Sequence, residues 1–237
     1  MVSMGIENKK TLKELGQLHG TDKVTSHSYT DTYQELFEPL RNEKLKFLEI
    51  GAGQIGASHK MWRDYFPNAE IYCMDLFNLP DHQENLPQIL EDYGVNTFTG
   101  NQLNKEDLQN LVLKFGSDFD VILDDGAHMS DAVQSSLGIL FPHLKSGGLY
   151  IVEDMLTAID RGNRLDQCNA HAMKYAGYVH FLETHLESSL KEFDQTGKWH
   201  SSTMDEEEKE YVADNILSYK LYNDKQGANN LCVIWKK

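Results

Sequence analysis

The sequence predicts an α/β fold: a doubly wound, mostly parallel sheet that ends in an antiparallel hairpin. From residue 45 onward, short apolar runs alternate with amphipathic segments of helical period, the pattern of parallel strands covered by helices. At the end of the chain the pattern changes, and two apolar runs, 216–222 and 231–235, flank a polar link at 223–230, which reads as a hairpin. The length of 237 residues suits one domain with a core of its own, expected over 1–237.

The strands are expected at 46–50, 70–75, 96–99, 119–123 and 149–152, with helices between them. A helix from 56 or 57 to 66 is closed by Pro67. Another, 105–115, places Leu108, Leu111, Val112 and Phe115 on one face behind Asn104 as its N-cap. Ser130 is expected to cap the next, which buries Val133, Leu137, Leu140 and Phe141 and stops before a Ser146-Gly147-Gly148 turn. Beyond residue 152 a long helix is expected at 171–193, where Leu182, Leu186, Leu190 and Phe193 recur at helical spacing. The acidic run Asp205 to Glu208 lacks a Gly-containing ligand loop and reads as a solvated helix start or surface loop, without chemistry.

Lys and Arg number 22 against 37 Asp and Glu, a net charge of −15, so a nucleic-acid backbone is excluded as a partner on grounds of repulsion. No apolar stretch approaches the roughly 20 residues of a membrane helix, and no membrane association is expected. The polar N-terminus carries no secretory signal, and Gly5 is not at the second position that myristoylation requires. Cys73, Cys168 and Cys232 are far apart and form no C-x-x-C pair, which fits reduced thiols in the cytoplasm better than a disulfide frame or a zinc site.

Two constellations carry chemistry. In Glu49-Ile50-Gly51-Ala52-Gly53-Gln54-Ile55-Gly56 the glycines follow a strand and open a helix, so the backbone can approach a nucleotide-like cofactor at a helix N-terminus. Gly51-x-Gly53-x-x-Gly56 alone also fits a dinucleotide, and the acid expected about 20 residues on, Asp75, serves either cofactor by holding ribose hydroxyls. Glu49 shifts the balance: a carboxylate there repels a pyrophosphate and accepts from the ammonium of S-adenosylmethionine. The second constellation is Asp124-Asp125-Gly126-Ala127-His128 at one strand end and Glu153-Asp154 at the next. Neighbouring strand tips lie about 5 Å apart, so Asp125, Glu153 and Asp154 can converge on a Mg²⁺-type cation. The bland alternative is that these acids cap helices. His128, three residues after Asp125, is either a capping or core histidine or, beside a metal, a general base.

These motifs resemble a family: the metal-dependent sugar O-methyltransferases of macrolide biosynthesis, of macrocin and mycinamicin type. Leu48-Glu49-Ile50-Gly51, Asp124-Asp125-Gly126-x-His128 and Val152-Glu153-Asp154-Met155 carry the likeness, with Gly20-Thr21-Asp22-Lys23 and Ser26-His27-x-Tyr29 upstream. The resemblance covers about residues 15–160 and implies a Rossmann-like class I methyltransferase fold. It implies a cofactor held by Glu49, Gly51, Gly53, Ser58, Asp75, Gln102, Asp124, Lys23 and Tyr29, a metal on Asp125, Glu153 and Asp154, and His128 as base. Asn101-Gln102 stands where the family commonly has Asp-Gln; Gln102 is still expected to reach the adenine edge. The chain resembles the compact form without an extra N-terminal domain, residues 1–40 and 157–171 being the expected lid and substrate wall and 45–237 the core.

The expected activity is Mg²⁺-assisted methyl transfer from S-adenosylmethionine to a hydroxyl of a sugar or sugar-bearing metabolite, by a homo-oligomer. Two rivals are an NAD(P)-linked oxidoreductase built on Gly51, Gly53 and Gly56, and a non-catalytic cofactor-binding scaffold; Glu49 and the metal carboxylates weigh against the first, and retention of both acidic motifs against the second.

Overall fold

The computed structural model describes residues 9–25, 28–154, 204–223 and 229–237. The helix expected at 171–193, the wall segment 157–171, Cys168, Met155 and the Ser26-His27 pair lie outside them. Among the described residues, β1 (Lys46–Ile50), β2 (Glu70–Asp75), β3 (Val95–Thr99), β4 (Phe119–Asp124), β5 (Leu144–Val152), β6 (Ile216–Asn223) and β7 (Asn229–Lys236) form one sheet in the order β3-β2-β1-β4-β5-β7-β6. β1 to β5 pair in parallel, and β7 runs antiparallel between β5 and β6. The expected α/β class and its hairpin are therefore present, and the hairpin joins the sheet through its second strand.

Helices α1 (Leu12–His19), α2 (Asp22–Thr25), α3 (Tyr29–Phe37), α4 (Ala57–Tyr65), α5 (Leu86–Asp92), α6 (Lys105–Phe115), α7 (Ser130–Leu140) and α8 (Glu206–Asn215) flank the strands. Asn104 caps α6 as expected, accepting from the Glu106 amide. The Asp205 run is a helix start: Asp205 and Glu208 form a reciprocal capping box, the arrangement that satisfies two orphan amides at once. Two expectations are corrected. Met129, not Ser130, is the N-cap of α7, and Ser130 is its first residue. Ser146-Gly147-Gly148 is no turn ahead of β5 but a bulge inside it, where pairing jumps from Phe119↔Leu144 to Val121↔Leu149 and Gly147 takes φ 77°.

The alternation of side chains along a strand splits the core into two layers. Leu48, Ile50, Ile122, Tyr150 and Val152 face α6, α7 and α8. Phe47, Ile71, Val121, Leu123 and Ile151 face α1, α3, α4 and α5. On this second face Tyr33, Phe37, Phe47, Trp62 and Phe66 form a buried aromatic cluster that fixes α3 and α4 against β1. The same parity sorts the acids at the strand ends. Glu49, Asp125 and Glu153 fall in step with the second face, whereas Asp124 falls in step with the first.

Gly51 and Gly53 both have left-handed φ, 98° and 57°, but a Cβ at Gly51 would lie 2.1 Å from the Asp125 carbonyl oxygen while one at Gly53 meets nothing within 4 Å. Gly53→Ala should cost about 1–2 kcal/mol, the left-handed penalty alone, and Gly51→Ala clearly more. Urea unfolding midpoints check this, and equal losses would contradict the close approach of the two loops.

Candidate active site

The strand order reverses between β1 and β4, which opens a crevice at the carboxyl ends of the strands, the usual ligand site of an open α/β sheet. A cleft of about 670 Å³ occupies this place. Gly51, Gly53 and Ser58 line it from the glycine loop and the start of α4, Asp75 from the end of β2, Gln102 from the loop after β3, and Asp125 and His128 from the loop after β4. Gly20, Thr21 and Asp22 close it from the N-terminal segment. The loop geometry follows from its sequence: Gly56 takes φ 64° as N-cap of α4, and the Gly51 amide donates to the Met74 carbonyl at 2.8 Å. Asp75 accepts from the Ala52 amide at 2.8 Å and the Phe77 amide at 2.7 Å, so it braces the glycine loop while its carboxylate borders the cleft. Apolar side chains of Met74, Leu76 and Leu79 complete that end.

Not every residue expected on the cofactor faces this cleft. Gln102 borders it, but its amide is spent inward: Nε2 donates to both Asp124 oxygens at 2.7 and 2.8 Å, and Oε1 accepts from the Ala127 amide at 2.9 Å. Asp124 is buried on the opposite face under Ser136 and Gln102, and burial raises its carboxyl while those hydrogen bonds pull it back. Through Gln102 it is tied to the Ala127 amide. Glu49 is 0% exposed; its Oε2 accepts from Ser58 at 2.9 Å and Trp62 Nε1 at 3.0 Å, with His59 Nδ1 at 3.2 Å. Strand parity turns Glu49 toward α4, and its other oxygen faces the Lys23 ammonium at 3.2 Å. Lys23 and Tyr29 are likewise buried and reach the acidic cluster rather than the cleft.

That cluster is the second half of the site. The Lys23 ammonium lies 2.5 Å from Asp125 Oδ2, 2.9 Å from Glu153 and 3.2 Å from Glu49 Oε1. Tyr33 donates to Glu153 at 2.5 Å and Tyr29 to Asp154 at 2.8 Å. Burial alone would push Lys23 down, but the three carboxylates outweigh it and hold the ammonium well above the usual lysine range. One ammonium does not balance three carboxylates. Burial therefore still raises Asp125, to about 6 against the pull of Lys23, and burial with the Asp125 charge raises Glu153 well above the ordinary range.

His128 Nε2 sits 4.0 Å from Asp125 Oδ1 and 3.8 Å from Asp154 Oδ2. One ligand atom from each of Asp125, His128 and Asp154 falls within 4.8 Å of the others, a spacing that fits a cation. His128 and Asp154 both have left-handed backbones, φ 52° and 53°, which turn the two loops where they meet. Asp125 and Asp154 meet His128, while both oxygens of the neighbouring Glu153 accept from Lys23 and Tyr33. Sequence reasoning missed Tyr33, Ser136, His59 and Trp62. Tyr33 lies four residues after Tyr29, one helical turn on, which was a usable signal; nothing local marks the others.

No family model matches the chain. Over 157 residues, 63% of this chain and 37% of the relative, it is 35% identical to Mycinamicin VI 2''-O-methyltransferase of Micromonospora griseorubida. Demethylmacrocin O-methyltransferase of Streptomyces fradiae is 34% identical over 157 residues, 63% of this chain and 38% of that one. The matched residues span well under half the length of these relatives. The MycE methyltransferase of the mycinamycin biosynthetic pathway, solved in complex with Mg, SAH and mycinamycin VI, superposes with a TM-score of 0.70 at 26% identity, over 97% of this chain and 55% of MycE. The sheet order and these similarities identify the fold as that of the class I methyltransferases, as the motif resemblance implied.

His59 is fully buried, its Nε2 has no hydrogen-bond partner among the described residues, and burial lowers its imidazole although Glu49 pulls the other way. The unfolded chain takes up this proton near pH 6.5 and the folded chain only below that. Stability linked to His59 is therefore complete at higher pH and lost as pH falls through that region. The drop in urea midpoint between about pH 7.5 and about pH 5.5 should be smaller for His59→Gln than for the parent protein; an unchanged drop would place the acid sensitivity elsewhere.

Proposed function

We propose that this chain is an S-adenosylmethionine-dependent O-methyltransferase that uses a divalent cation to methylate a hydroxyl of a sugar-bearing natural product. The observation that carries the reading is the meeting of Asp125, His128 and Asp154, the first two of which line the glycine-loop cleft. Support comes also from the similar mycinamicin VI 2''-O-methyltransferase and demethylmacrocin O-methyltransferase and from the Mg and SAH bound to MycE. The first part of the expected lid, Gly20 to Asp22, borders the same cleft, which suits a wall over bound cofactor.

Asp75 is placed for the ribose hydroxyls, since its carboxylate borders the cleft beside the glycine loop. Met74, Leu76 and Leu79 provide the apolar surface for an adenine ring, and the Ala52 to Gly53 backbone leaves room for the amino-acid end. Asp125 and Asp154 would hold the cation, with Glu153 at the next position available as a third carboxylate. When bound, the cofactor supplies an electrophilic methyl on sulfur, and the cation supplies positive charge that lowers the acceptor hydroxyl's pKa. His128 takes the hydroxyl proton at Nε2, the ring atom that faces the acidic pair. Tyr29 holds Asp154 and Lys23 holds Asp125, so the oxygens facing His128 keep their direction.

Isothermal titration should show S-adenosylmethionine binding and no comparable affinity for NAD, and methyl transfer to glycosylated macrolides should vanish in EDTA and return with Mg²⁺. Tighter NAD binding, or full activity in chelator, would overturn the reading. His128→Ala should lower kcat by roughly 10²–10⁴-fold while leaving the cation's affinity nearly unchanged. A loss of cation affinity instead would make His128 a ligand, since Nε2 cannot both bind the cation and accept the proton.

A further inference from the structure

Glu153 poses a problem that the cation reading leaves open. Both of its oxygens are already engaged: Oε2 accepts from Lys23 at 2.9 Å, and Oε1 accepts from Tyr33 at 2.5 Å and faces the same ammonium at 2.9 Å. Asp125 is half engaged, with Oδ2 on Lys23 at 2.5 Å and Oδ1 toward His128. A cation entering beside Asp125 and Asp154 therefore finds a positive charge already installed, 1% exposed and anchored from behind by Glu49 at 3.2 Å. Like charges in a buried site repel strongly because little solvent screens them.

We propose that Lys23 is a positioning residue that serves as a built-in counter-cation for the acidic strand tips and competes with the divalent cation for Asp125 and Glu153. The ammonium holds together the buried carboxylates of Glu49 and Glu153 and the partly exposed one of Asp125, whose like charges would otherwise repel. It also weakens cation binding, so the metal is exchangeable. The inference rests on the cation reading given above.

The opposite role, a scaffold that merely supports a metal site, predicts changes of the opposite sign. Lys23→Met should tighten Mn²⁺ or Mg²⁺ binding, measured by calorimetry on the full chain, by at least about tenfold. It should also lower the thermal midpoint without metal, with saturating cation restoring most of that loss. Lys23→Arg retains the charge and should stay close to the parent in both measurements. Should Lys23→Met not fold, Glu49→Gln carries the test: with one anchor removed, the ammonium is shared between Asp125 and Glu153 alone, and cation binding should weaken about three- to tenfold. Weaker or unchanged binding in Lys23→Met, or tighter binding in Glu49→Gln, overturns the competition while leaving the cation site standing. A parent protein that binds neither cation overturns both.

Discussion

The ammonium of Lys23, buried among Glu49, Asp125 and Glu153, is the interaction on which the arrangement of the site depends. It joins four pieces of chain that are remote in sequence: α2 in the N-terminal segment and the ends of β1, β4 and β5. Charges of this kind are costly to bury singly, and removing one partner of such a set leaves the others uncompensated. The N-terminal segment is therefore committed to the strand tips, and with it the Gly20 to Asp22 wall of the cleft. Around this knot the aromatic cluster of Tyr33, Phe37 and Trp62 supplies the apolar burial that holds α3 and α4 in place, and Tyr33 belongs to both systems through its bond to Glu153.

The two halves of the site share backbone as well as charge. Gly51 packs directly on the Asp125 carbonyl, and the Asp125 amide donates to the Ile50 carbonyl at 3.0 Å. Cofactor loop and acidic loop thus cannot move independently, which suits a reaction whose two reacting centres must meet in line. Asp124, one residue earlier, points to the other face and secures the acidic loop through Gln102. Adjacent aspartates thereby do different work because a strand turns successive side chains to opposite sides.

Much of this was legible in the sequence. Apolar runs of strand length located β1 through β5 to within a few residues, and Asn104 announced α6. The N-terminal helices were not assigned, although Thr11 and Glu14 form a capping box whose sequence signature is visible. The Ser146-Gly147-Gly148 segment misled because a glycine pair signals a turn and a strand bulge equally well. At the site, spacing correctly brought together Asp125, Asp154 and His128, but residue type could not tell which acids would be satisfied internally. Glu49, Asp124 and Glu153 are held by Trp62, Ser136 and Tyr33, partners supplied by tertiary packing. Strand parity, applied to the acids as well as to the apolar residues, would have separated Asp124 from the other three.

Anomalous diffraction from crystals of the full chain grown with Mn²⁺ locates the cation and the Lys23 side chain in one map. The peak should be bounded by Asp125 and Asp154, beside His128, with the Lys23 ammonium drawn away from Glu153. A peak elsewhere, or an occupied site with Lys23 still bonded to both Asp125 and Glu153, would contradict this placement.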